Sequence, residues 1–244
     1  MKVKNLLSHF PKTVEWSLVV KCTALVLLAL YAFVHGGVFV WIVCGVVAVW
    51  FFYSESVERR SYTYSYGVYL LLLFLYGINI EHSLFADIIF FCLVVLLLSL
   101  WVGLTRFIFK EKERVADLYH CVLVFFLILF ALLFPSTLSA VFVGIGAGLL
   151  IYEYLSLHKF PWKQRITLVS VAGGLFLCET LLIVRALSLH SIVLAGVVTL
   201  VVLVIRNLYV AHFSGTLTRE YLFQNITIFV VVCIILFATG KWVF

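Results

Sequence analysis

Four ionisable residues stand where an apolar chain tolerates them least: Glu179, Glu153, Arg185 and Asp87. Glu179 lies in Phe176-Leu177-Cys178-Glu179-Thr180-Leu181-Leu182, well inside a long apolar run. An ionisable side chain in the middle of a lipid-embedded helix costs about 2.5 kcal/mol or more, so it needs either a function or a partner. Two chemistries are open to Glu179: proton exchange by its carboxyl, or a hydrogen bond to another helix. Arg185 is six residues further on. Six residues turn a helix through about 240°, so the two side chains point to different faces. Arg185 is expected to snorkel to the outer boundary. Glu153, in Leu150-Ile151-Tyr152-Glu153-Tyr154, stands nearer the inner boundary; it either faces a cavity or, as the favoured expectation, pairs at the surface with Lys163 or Arg165. Asp87 follows Glu81 and His82. That trio is either a weak cation-binding mouth or a solvated helix start.

No phosphate-binding loop, zinc-protease motif or nucleophile elbow occurs, and no Asp or His cluster has ligand spacing. The expected catalytic, cofactor and metal residues are therefore none. All six cysteines fall in apolar runs without a C-x-x-C pair, which fits buried apolar thiols. Gly144-Ile145-Gly146-Ala147-Gly148 contains a G-x-x-x-G, and Gly173-Gly174 opens the next apolar run. Small residues let helix backbones approach closely in lipid, so Gly144, Gly148, Gly173 and Gly174 are expected to pack two helices together.

The elements that must position these groups follow from composition. The chain is 65% apolar and 11% charged over 244 residues, with a mean hydropathy of +1.22. A chain this short cannot hide that much apolar surface inside a globule, so lipid is the expected solvent. Lipid admits only helices or a closed barrel, because every backbone polar group must be satisfied internally. Barrel strands alternate apolar and polar residues, and runs such as LVLLALYAFV and LVVLLLSLWV do not. The expected fold is therefore an all-α polytopic bundle.

Cutting at charges, Gly and Pro predicts nine spans: 14–34, 37–53, 63–80, 84–105, 115–134, 137–157, 166–187, 189–211 and 221–239. Residues 22–53 form one run too long for a single span, and His35-Gly36-Gly37 is the expected turn within it. The basic N-terminus is read as the flank of a retained first helix, since no A-x-A cleavage site follows it. With nine spans and the N-terminus inside, fifteen of the seventeen Lys and Arg residues fall at inside loops or flanks. Arg185 and Lys241 remain outside, and so does the C-terminus. The net charge of +6 is thus a topology signal, and no nucleic-acid partner is expected.

The two halves resemble each other. Val38-Phe39-Val40, Ile42 and Gly45 match Val141-Phe142-Val143, Ile145 and Gly148 at an offset of 103. Arg60 matches Arg165, and Arg114 matches Arg219, at 105. The expected plan is one transmembrane domain with a first repeat over 14–111, a second over 115–219 and an extra span over 221–239. Four spans per unit keep both copies in the same orientation, as in parallel transporter halves. The charges are not duplicated: Glu179 matches Phe74 and Glu153 matches Trp50. A site would therefore be asymmetric and built from the second half.

Leu217-Thr218-Arg219-Glu220-Tyr221-Leu222-Phe223, an apolar run and then Gly240-Lys241-Trp242 resemble a group of uncharacterised multi-span proteins from candidate-phyla bacteria. The likeness covers the last third of the chain. It implies a bacterial inner membrane and no particular activity. The expected partners are the lipid bilayer and other membrane proteins or further copies of the chain. The expected function is that of a structural or accessory subunit of a membrane assembly. The alternatives are a small transporter or channel using Glu179 as a buried protonatable group, and a lipid-active membrane enzyme.

Overall fold

The computed structural model describes residues 16–35, 40, 43–47, 62–79, 112–158, 160–187 and 190–239. Seven long helices lie among them: α1 (Trp16–His35), α2 (Thr63–Asn79), α3 (Lys112–Leu133), α4 (Thr137–Leu157), α5 (Lys163–Val184), α6 (Ser191–Phe213) and α7 (Arg219–Thr239). No strand occurs among the described residues. Each helix coincides with an apolar run and stops where charge, Gly or Pro interrupts it. The expected spans 37–53 and 84–105 lie wholly or mostly outside the described residues.

Among the described residues, four helices are long and apolar enough to cross a membrane: Val115–Leu133 within α3, then α4, α5 and α6. Their surfaces are the reverse of a soluble protein's. In α5 the buried positions are Ile166, Ser170, Gly173, Gly174, Leu177 and Leu181. Leu168, Leu175 and Ile183 on its outer face are 62–70% exposed. Large aliphatic residues left on the outer face, with Ser170, Gly173 and Gly174 among the inner ones, are what lipid favours, since lipid exerts no hydrophobic drive to bury a leucine. The pattern suggests a membrane-embedded chain.

The connections are short and locally determined. Pro135 cannot continue α3. Ser136 then caps α4, its hydroxyl accepting from the Ser139 N–H at 3.0 Å while Ser139 Oγ accepts from the Ser136 N–H at 3.3 Å. This reciprocal box satisfies two free donors. At the far end of α6, Gly215 adopts φ 72°. The Thr216 N–H bonds the Ala211 carbonyl and the Gly215 N–H bonds that of His212. This pair of bonds closes a Schellman turn, which needs a left-handed residue after the cap.

Short connections make sequential helices antiparallel neighbours. α4 packs most extensively on α5, and α3 on α6. α2 lies against both α3 and α4, α1 against α2, and α7 against α6. The centre is apolar and aromatic, with Tyr69, Tyr119, Leu72, Leu123, Leu127 and Ile128 almost fully buried.

Candidate functional site: a buried histidine–carboxylate cluster

Glu153 sits one turn from the end of α4 and is 3% exposed. Its Oε2 accepts from the backbone N–H of Tyr64 at 2.6 Å and of Ser65 at 3.1 Å. Both donors belong to the first turn of α2, where no intrahelical acceptor exists. A carboxylate from another helix therefore caps α2, assisted by the positive end of its dipole.

The other oxygen, Oε1, lies 3.0 Å from His120 Nε2 on α3. His120 Nδ1 lies 2.8 Å from the Ala116 carbonyl, one turn earlier on the same helix. A carbonyl only accepts, so Nδ1 carries a hydrogen. The Nε2···Oε1 contact then holds one further proton, sited on either atom. Both arrangements leave the pair neutral overall, which is how a buried pair avoids an uncompensated charge.

Aromatic rings wrap this pair. The rings of Tyr62, Tyr119 and Tyr154 stand 6.3, 6.0 and 5.9 Å from the His120 ring. Burial first, and then the Glu153 carboxylate, push the Tyr62 phenol above its ordinary range. On the far side of Tyr154, the Arg206 guanidinium of α6 lies 3.9 Å above the ring. Its Nη2 is 3.4 Å from Asp117 Oδ1 on α3. Arg206 is 7% exposed, whereas the Asp117 side chain is 44% exposed. A line of polar and aromatic groups thus runs from the surface inward, through Asp117, Arg206, Tyr154 and His120 to Glu153. All of it lies toward the end where α2 and α3 begin and α4 and α6 finish.

The expected surface pairing of Glu153 with Lys163 or Arg165 is corrected by this geometry. The reason is the α3–α4 hairpin. His120 is 16 residues before Ser136 and Glu153 is 17 after it, so the turn brings both to one depth. His120 and Asp117 escaped the sequence reading because their partners are on other helices. The available signal was an ionisable residue in Leu118-Tyr119-His120-Cys121-Val122, folded back about Pro135-Ser136.

Arg185 also differs from its expected snorkelling. Its guanidinium folds over the α3–α4 turn, donating to the carbonyls of Ser136 at 3.0 Å and Ala131 at 2.9 Å and to Ser139 Oγ at 2.9 Å. Ala131 belongs to the last turn of α3, whose carbonyls lack intrahelical donors and favour a cation. Glu179 faces outward on α5 and is exposed, with no hydrogen bond or ion pair to any described residue. The site expected around it, an acid buried within the bundle, is not what α5 presents. Asp87 lies outside the described residues.

The four glycines sit where α4 meets α5. A methyl on Gly144 would lie 2.8 Å from the Gly174 carbonyl oxygen, and one on Gly148 3.1 Å from that of Ser170. A methyl on Gly174 would meet the Gly144 oxygen, and one on Gly173 would lie 2.9 Å from Ile151 Cδ1. Beside this contact runs an apolar groove of about 500 Å³, bordered by Tyr64, Tyr152, Ile145, Ser170 and Leu175. Among the described residues, no three His, Cys, Asp or Glu side chains converge as metal ligands do.

Searches among known protein families, curated proteins and solved structures return no match to the chain.

Proposed function

We propose that this chain is a multi-pass integral protein of the cell membrane that serves as a structural or accessory subunit of a membrane assembly. In this reading it crosses the bilayer nine times, N-terminus inside and C-terminus outside, as a parallel four-plus-four repeat with one extra helix. In this reading the membrane is a bacterial inner membrane, which is what the resemblance of its last third implies. One observation carries the reading: both oxygens of the buried acid Glu153 are engaged in holding helices together, two backbone donors of α2 on one and His120 of α3 on the other. The polar groups at depth act as brackets between helices. Arg185 does the same for the α3–α4 turn.

The test is purification of the full chain from its native membrane in mild detergent, followed by cross-linking and mass spectrometry. A constant stoichiometric neighbour, either another membrane protein or a further copy, is expected. The purified chain in liposomes with an internal pH dye is expected to give no proton flux.

A second reading, a proton-coupled transporter, is favoured by the single proton held between His120 and Glu153. Proton-coupled flux that disappears in Glu153→Gln or Glu179→Gln at unchanged abundance would establish it and remove the subunit reading.

A further inference from the structure

Tyr119 carries a polar group deep in the bundle that no described residue satisfies. Its side chain is completely buried, and its hydroxyl makes no hydrogen bond to any described residue. Ser65, Tyr66 and Tyr69 of α2 and Glu153 of α4 stand around it. Buried hydroxyls are almost always bonded, because an unmade bond at a site closed to solvent costs more than a made one gains. The Tyr119 hydroxyl therefore calls for a partner held beside it.

The neighbouring groups define the chemistry of that partner. Ser65 is also completely buried. Its one hydroxyl hydrogen goes to the Tyr62 carbonyl at 3.1 Å, which leaves Ser65 Oγ as an acceptor. A carboxylate offers about four acceptor directions. On Glu153 the N–H groups of Tyr64 and Ser65 take two of them and His120 takes a third. A direction on Oε1 remains, whichever atom of the pair holds the shared proton. Among the described residues, this corner thus holds a donor without an acceptor on Tyr119, and acceptors without a donor on Ser65 and Glu153. A cation would give the Tyr119 hydrogen nothing to bond. An anion would face the lone pairs of Ser65 and Glu153. Water accepts and donates, which is what the corner lacks.

We infer that one water molecule is bound in this corner, accepting from Tyr119 Oη and donating to Ser65 Oγ and Glu153 Oε1. About three bonds to otherwise unpaired buried groups are typical of internal waters, and such a bridge is nearly as good as a direct bond. The water extends the Glu153 cluster to a second residue of α3, so that α2, α3 and α4 meet at one hydrated point. This goes beyond the subunit reading and does not depend on it.

The test is infrared difference spectroscopy on the purified full chain in hydrated lipid films, wild type against Tyr119→Phe. Spectra are taken in ordinary water and in water labelled with the heavy oxygen isotope. A water O–H stretch moves on labelling, whereas protein O–H and N–H stretches do not. An isotope-sensitive band is expected in the wild type and not in Tyr119→Phe. Tyr76→Phe is the control and should keep the band, since the Tyr76 hydroxyl bonds the Phe126 carbonyl directly at 3.0 Å. Melting in detergent gives a second readout. Loss of a bonded hydroxyl should lower the midpoint of Tyr119→Phe by about 2–4 °C. If Tyr119→Phe does not accumulate, Ser65→Ala takes its place in the spectra, and the band should shift as the water loses an acceptor.

A difference spectrum without an isotope-sensitive band would overturn the bound water; with a lowered midpoint it would mean a direct bond from Tyr119 to Ser65. A midpoint that rises or stays unchanged in Tyr119→Phe would show a hydroxyl with no partner and overturn it as well. A band that survives both Tyr119→Phe and Ser65→Ala belongs to water elsewhere, with the same consequence.

Discussion

Glu153 is one side chain on which three helices depend. Replacing it with leucine leaves the N–H groups of Tyr64 and Ser65 and the His120 ring without an acceptor at a buried site. Breaking a buried charged pair by removing one partner costs about 3–5 kcal/mol. Glu153→Leu is therefore expected to lower thermal stability in detergent by that order, measured by tryptophan fluorescence or by aggregation on heating. Glu153→Gln keeps a carbonyl oxygen for the α2 donors and is expected to lose less. His120→Leu in the wild-type background leaves Glu153 still capping α2, so it too should cost less than Glu153→Leu. The double variant should cost less than the sum of the two single ones, because the residues share one contact. Additive losses would show that the 3.0 Å contact between them contributes nothing. At this scale the sequence was half legible. That Glu153 is out of place in an apolar run can be read directly. Its partner cannot, because neither helical spacing nor charge sign points 33 residues away. Glu179 shows the opposite case. Its central position in an apolar run suggested burial, but which side of a helix faces its neighbours depends on where the small residues lie, and Gly173 and Gly174 turn Glu179 outward.

Among the elements, α4 and α5 form the tightest pair, and glycine makes them so. Gly144→Ala puts a methyl 2.8 Å from a backbone oxygen, which cannot give way as a side chain would. Overpacking of this kind costs about 1–3 kcal/mol. Gly67, in the interior of α2, has nothing within 4 Å of an added methyl. There Gly→Ala removes backbone freedom without a clash and should stabilise by about 0.5–1 kcal/mol. The two substitutions are identical in chemistry, so opposite shifts in melting temperature are the expected result. Equal shifts would mean that the α4–α5 contact is looser than described. Helix positions themselves were readable. The expected stretch 137–157 coincides with α4, and the other six described helices begin and end within three residues of their expected bounds. Apolar runs in lipid must be helical, so length and interruption suffice to locate them. Packing partners are set instead by side-chain shape across a hairpin, which a one-dimensional pattern does not contain.

For the whole molecule, the charge distribution makes the strongest statement. On the proposed nine-span reading, fifteen cations fall on one side and two on the other, an asymmetry that holds only if the number of spans is odd. Alkaline phosphatase fused after Phe244 is therefore expected to be active in the periplasm, and a reporter placed in the segment around Lys159 inactive. Inactivity of the first fusion with good expression would require an even number of spans. The polar line from Asp117 to Glu153 also belongs to this scale. It runs toward the end of the bundle where the α4–α5 loop carries Lys159 and where α5 opens with Lys163 and Arg165, the side read as cytoplasmic. The buried polar groups Glu153, His120 and Arg206 thus lie near the basic end of the bundle, while toward the other end the Arg185 clamp and the bond from the Tyr76 hydroxyl to the Phe126 carbonyl are polar links between helices.

The cap on α2 also has a bearing on biogenesis. The carboxylate that receives the Tyr64 N–H is 89 residues downstream. At a synthesis rate of about 5–20 residues per second, the opening turn of α2 waits roughly 4–18 s for its acceptor to be translated. Through that interval water must serve the N–H groups of Tyr64 and Ser65, so the bond that ties α2 to α4 is made only after most of the chain has been synthesised.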